Sequence, residues 1–248
     1  MNFSAKRGET VLKKGIYVVD NRYADEIEQA FGDWGIFIPT IPCKELAEPV
    51  SGHPDMVLFP DGKGTTVCAP SVFDGYQALL SPLGIKLVQG KKSLLQDYPG
   101  DVAYNVLNVG GFAFARWDSA DEEIVSLLSR QNICTVSVAQ GYSKCSAMVA
   151  GTGVVTADAS IAGAAEGAGL SVLVIEPGHI ELPGYGYGFI GGATGMLNEN
   201  NLAVFGDLHT HPQGAEIRRF AESCGVNCRE IPGRPLVDVG TILCVGYV

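Results

Sequence analysis

Short apolar runs recur along this chain, and five times a helical stretch stops at a small residue where such a run begins. The junctions are Gly35-Ile36, Gly84-Ile85, Asn132-Ile133, Gly169-Leu170 and Gly225-Val226. Gly or Asn just past a helix takes the left-handed conformation that satisfies the last helical carbonyls. Each junction therefore predicts a helix end followed by a strand. The spacing drifts from one junction to the next while the content between them is kept, which marks an internal repeat.

That content is strand, tight turn, strand, helix. Residues 55–59 read as a strand, Asp61-Gly62 as the positive-φ hairpin turn, residues 65–68 as the return strand and residues 71–80 as a helix. The next unit reads as strand 102–107, turn 108–111 and strand 112–116, with a helix opened by the capping pattern Ser119-Ala-Asp-Glu122. A fourth has strands 146–150 and 154–156 and a helix from about residue 160, and a fifth has strands 188–195 and 202–205 and a helix over 213–224. The start supplies strand 15–19, helix 24–31 and strand 36–41, but lacks a first strand. The end, residues 235–245, is a lone strand. Pairing 237–245 with 15–19 completes a fifth unit and leaves no open sheet edge. The expected fold class is α/β: a five-bladed, pseudo-symmetric α/β-propeller of ββαβ units, one domain over residues 1–248.

Composition narrows the partners. A net charge of −10, with no run of Lys or Arg to offset it, disfavours phosphate-backbone contact, so no nucleic acid is expected. The early cations Lys6, Arg7, Lys13 and Lys14 flank no apolar segment, and no run is long enough to span a bilayer, which predicts a cytoplasmic protein without membrane contact. Seven cysteines form no paired framework and read as reduced thiols. Gly at 32 of 248 residues is nearly twice the usual share of about 7 %, as many tight turns require. The expected partner is a small molecule, and no oligomeric state is implied.

The ring of five ββαβ units, with Asp238-Val-Gly-Thr-Ile-Leu-Cys244 at its end and Thr156-Ala-Asp158 in its fourth unit, resembles the pentein propeller of the guanidine-modifying enzymes. Gln140-Gly-Tyr-Ser-Lys-Cys145 and Gly188-Phe-Ile-Gly-Gly192 are similar to an uncharacterised bacterial family with that fold. The resemblance implies a channel site for a guanidino or amidino metabolite. Cys244 falls one residue further from Asp238 than the nucleophile does in those enzymes, and on a strand that slip turns the side chain to the other face. The His expected to open the fifth unit is replaced by Tyr185-Gly-Tyr-Gly-Phe-Ile-Gly-Gly192.

In such a ring the first strand of every unit lines the channel, bringing together His53, Asp55, Asn105, Lys144, Cys145 and Asp238. Cys145, beside the Lys144 ammonium, is the expected nucleophile and the most reactive thiol, with Cys134 and Cys244 slow in apolar strands. His53 with Asp55 reads as an oriented acid/base pair, or as a loop His at a strand entrance. Asn105, Lys144, Asp158 and Asp238 are the expected substrate-binding residues, Asp158 being also a candidate helix cap. Asp207, His209 and His211 have metal-ligand spacing, but Pro212 and the helix that follows make them a polar loop, so neither metal nor cofactor is expected. The functional expectation is hydrolysis of a guanidino or amidino metabolite through a cysteine. The alternative is a non-catalytic binding or scaffold ring.

Overall fold

The computed structural model describes residues 14–248. Lys6, Arg7 and Lys13 of the basic start lie outside the described residues. The chain runs β1 (Gly15–Val19), α1 (Ala24–Phe31) and β2 (Gly35–Pro39), then β3 (Leu58–Pro60), β4 (Thr65–Cys68), α2 (Phe73–Leu80) and β5 (Lys86–Gln89). There follow β6 (Leu107–Val109), β7 (Phe112–Ala115), α3 (Glu122–Arg130) and β8 (Cys134–Ser137). The fourth unit is β9 (Ala147–Ala150), β10 (Gly153–Thr156), α4 (Ala159–Gly167) and β11 (Val172–Val174). The last is β12 (Thr194–Asn198), β13 (Asn201–Val204), α5 (Gly214–Ser223) and β14 (Asn227–Glu230), after which β15 (Leu243–Tyr247) ends the chain.

These strands form five three-stranded sheets of one plan among the described residues. In four of them an antiparallel hairpin is followed by a helix that carries the chain back to a parallel third strand, as in β3–β4–β5 and β12–β13–β14. The remaining sheet, β15–β1–β2, is assembled from both ends of the chain: Val18 pairs with Leu243 antiparallel and with Ile38 in parallel. The junction residues Gly84, Asn132, Gly169 and Gly225 all have positive φ, between 56° and 82°, whereas Gly35 is extended at 168°. A short 3-10 turn, Gly32–Trp34, ends α1 instead. Each helix buries a narrow stripe against its sheet, as with Ile124, Leu127 and Leu128 of α3. Asp121 caps α3 and Asp158 caps α4 through backbone N–H groups.

The expected first strands are all too long at their N-terminal ends. Pro54–Met56 is a 3-10 turn rather than the start of strand 55–59, because Pro54 supplies a fixed helical φ. Residues 102–106, 188–193 and 235–242 are loops apart from an isolated parallel bridge between Val237 and Glu181, and the first strands begin only at Leu107, Thr194 and Leu243. The apolar residues of these loops are buried as a strand's would be, so their composition imitates a strand. Leu208–Thr210 is likewise a 3-10 turn, so Asp207, His209 and His211 do not share a strand face. Asp207 accepts the His209 and Gly233 N–H groups, and His211 Nδ1 accepts that of Gln213. No described helix is long and apolar enough to cross a membrane.

Candidate functional site

The loops that precede the first strands meet at a cluster of buried polar groups. The Asn105 carboxamide joins two of them: its Oδ1 accepts the Lys144 and Cys145 N–H groups at 2.8 and 3.2 Å, and its Nδ2 donates to the Cys145 sulfur at 3.0 Å. The Cys145 thiol donates to Asp55 Oδ2 at 3.0 Å. The Thr241 hydroxyl lies 2.8 Å from the same oxygen and 3.0 Å from the Gly191 carbonyl, and it accepts the Lys144 ammonium at 3.1 Å. Asp55 Oδ1 has no partner. A chain of polar contacts thus runs from Lys144 through Thr241 and Asp55 to Cys145.

His53 does not pair with Asp55. The Pro54–Met56 turn sends the two side chains to different neighbours, and His53 sits between Asp20 and Asp238, each 3.8 Å from one ring nitrogen. It is 1 % exposed, and neither nitrogen makes a hydrogen bond. Asp20 is gripped by Arg22, and Asp238 accepts the Phe189 and Gly240 N–H groups at 2.8 and 2.9 Å.

Two glycine positions are dictated by this packing. A Cβ on Gly192 would fall 1.8 Å from Asp238 Oδ1, and one on Gly240, which has a φ of 66°, would fall 2.2 Å from the His53 Cβ. The Gly-rich stretch 188–192 therefore leaves room for Asp238. Thr241 has a φ of 75°, a region that β-branched residues enter only under constraint; its hydroxyl contacts supply that constraint.

Burial dominates the electrostatics. It pushes Asp55 up to about 6, against the pull of Lys144, Cys145 and Thr241. It lowers Lys144, opposed by Asp55, and lowers His53, opposed by Asp238 and Asp20. Asp238 is raised by the same cause. The Cys145 thiol is raised well above its usual value, by burial first and then by Asp55 and Asp238. This overturns the expectation of a thiolate favoured by Lys144, whose ammonium is bonded to Thr241 instead. Cys134, expected in an apolar strand, is exposed on the outer strand of its sheet. Cys244 packs half-buried against the cluster around Tyr17.

Two cavities flank the polar cluster. One, of about 140 Å³, is lined by His53, Cys145 and Asp238 beneath Tyr142, Tyr187 and Phe189. The other, of about 260 Å³, is lined by Asp55, Lys144 and Thr241 among residues from all five sheets, including the apolar Leu58, Val149, Met196 and Leu243 and the polar Asn108. Asp158 joins neither: it caps α4 and faces a separate cavity of about 100 Å³ beside Glu176. Sequence reasoning missed Asp20 and Thr241. Asp20 had a faint signal as the acid that ends an apolar strand, while Thr241 had none, because its role depends on a backbone angle.

The fold is similar to that of SxtG, an amidinotransferase from Microseira wollei in the saxitoxin biosynthetic pathway. The TM-score is 0.52 at 12 % identity, over 88 % of each chain. No curated protein matches the sequence. The model of a family of unknown function, DUF6873, matches residues 18–243, and the chain belongs to that family.

Proposed function

We propose that this chain binds a small guanidino or amidino cation in the cavity over Cys145 and hydrolyses it with Cys145 as nucleophile. The five sheets would stand around the shared axis as blades of one pentein-like propeller domain. Support for that arrangement comes from the likeness to an amidinotransferase and from the cavity that all five sheets line. The observation that carries the reading is the buried thiol sharing a cavity with Asp238 and with a His that has no hydrogen bond.

A cation seated on Asp238 would offset the two influences that hold the thiol protonated: burial away from water, and the nearby carboxylates. The ligand would then activate its own nucleophile. Thiolate attack on the central carbon gives a tetrahedral adduct, and loss of an amine or ammonia leaves a covalent thioester analogue; water releases it as a urea from a guanidine, or as an amide from an amidine, and restores the thiol. His53, neutral in the empty site, accepts the thiol proton and returns it to the leaving amine. Asp55, its carboxyl raised by burial to about 6, and Asn105 fix the sulfur.

The second reading is a ring that binds the same cation without turnover. It is favoured by one fact: His53 is not hydrogen-bonded to the thiol. Incubating the protein with a panel of alkylguanidines and amidines, with detection of the urea or amide formed and of the amine or ammonia released, separates the two. Hydrolysis abolished in Cys145→Ser is the expected result. Saturable binding with no product, equal in wild type and Cys145→Ser, establishes the binding ring instead.

A further inference from the structure

The cavity over Cys145 changes character between floor and rim. Its floor is acidic, with Asp238 beside His53 and Asp20 behind the imidazole. Its rim is aromatic, and no lysine or arginine is among the described residues that line it. From the rim the rings continue outward: Tyr187 meets Phe189 edge-on at 6.2 Å between ring centres, Phe189 lies 6.1 Å from Tyr142, and Tyr142 lies 5.6 Å from Tyr98. Tyr98 and Tyr187 are 45 % and 50 % exposed, so this ribbon opens to solvent. Arg116, stacked on Tyr98 at its outer end, is paired with Asp118.

Resting on the reading of a cationic head group, we infer that the ligand's other end is apolar and uncharged. It is an alkyl or aryl chain laid along the ribbon, and the site rejects α-amino acids and other guanidines that bear a carboxylate. A carboxylate drawn over the rim would lose hydration and meet no cation, and it would face the acids of the floor. A hydrocarbon chain meets aromatic faces, which also favour the positive head group passing over them.

Calorimetric titration of the full chain with two ligands of matched shape tests this. n-Butylguanidine carries a methyl group where 4-guanidinobutanoate carries a carboxylate, and methylguanidine reports the head group alone. The expected result is butylguanidine binding at least ~10-fold more tightly than 4-guanidinobutanoate. Tyr187→Ala should weaken butylguanidine ~5-fold and leave methylguanidine within about twofold. Equal or tighter binding of 4-guanidinobutanoate overturns the apolar tail and leaves the guanidino reading standing. An unchanged butylguanidine affinity in Tyr187→Ala overturns the ribbon. Binding of none of the three removes both this inference and the reading beneath it.

Discussion

Asp55 shows how the site uses burial. Its carboxyl is sealed from water, and that burial outweighs the donors from Thr241 and Cys145 and the charge of Lys144, which favour the anion, so it holds its proton up to about pH 6 against an ordinary value of 3.8. The unfolded chain gives up that proton earlier. The contribution of Asp55 to native stability therefore falls as pH rises from about 4 to about 6 and is flat above, with a loss on the order of 3 kcal/mol. In Asp55→Asn nothing ionises there, so its melting temperature minus that of wild type should climb across this window and then level off. A difference independent of pH would mean that Asp55 titrates normally. The thiols give a second test. Cys134 is exposed while Cys145 is 3 % exposed and strongly disfavoured as thiolate, so neutral iodoacetamide should alkylate Cys134 first in the empty protein. Peptide mapping after limited labelling reads the order.

Among the elements, the two glycine environments predict opposite outcomes. Gly163 lies within α4 with nothing in the way of a Cβ, so Gly163→Ala should stabilise the protein by about 0.5–1 kcal/mol in denaturant melts. Gly192→Ala would displace Asp238 and should abolish cation binding, as calorimetry would show. The end strand β15 pairs with β1 and buries Leu243 and Val245, so a chain ending at Ile242 exposes an edge and an apolar face. It should fail to melt cooperatively, and a truncation that melts like the full chain would contradict the pairing. The helices, hairpins and repeat were legible because apolar periodicity and turn residues act locally. Strand starts were not: Val102, Ala103, Tyr104, Val106, Leu236, Val237 and Val239 are apolar residues buried outside the strands, and burial alone does not distinguish loop from strand. Residues 53, 55, 105, 145 and 238 could be gathered because the repeat places each of them in the segment that leads into a first strand. Thr241, and the choice of Asp20 rather than Asp55 beside His53, depended on backbone geometry that no residue type announces.

For the molecule as a whole, the account rests on one linkage: a bound cation converts an inert, buried Cys145 into the reactive thiol. A cationic electrophile carries both partners of that event, whereas a neutral one of similar size carries only the electrophile. The direct measurement is therefore competitive alkylation of the seven cysteines by 2-chloroacetamidine and by iodoacetamide, followed by mass mapping. The account predicts that chloroacetamidine modifies Cys145 first, that Asp238→Asn suppresses this, and that iodoacetamide keeps its preference for Cys134. Modification of Cys134 first by both reagents, with Cys145 untouched, would contradict it.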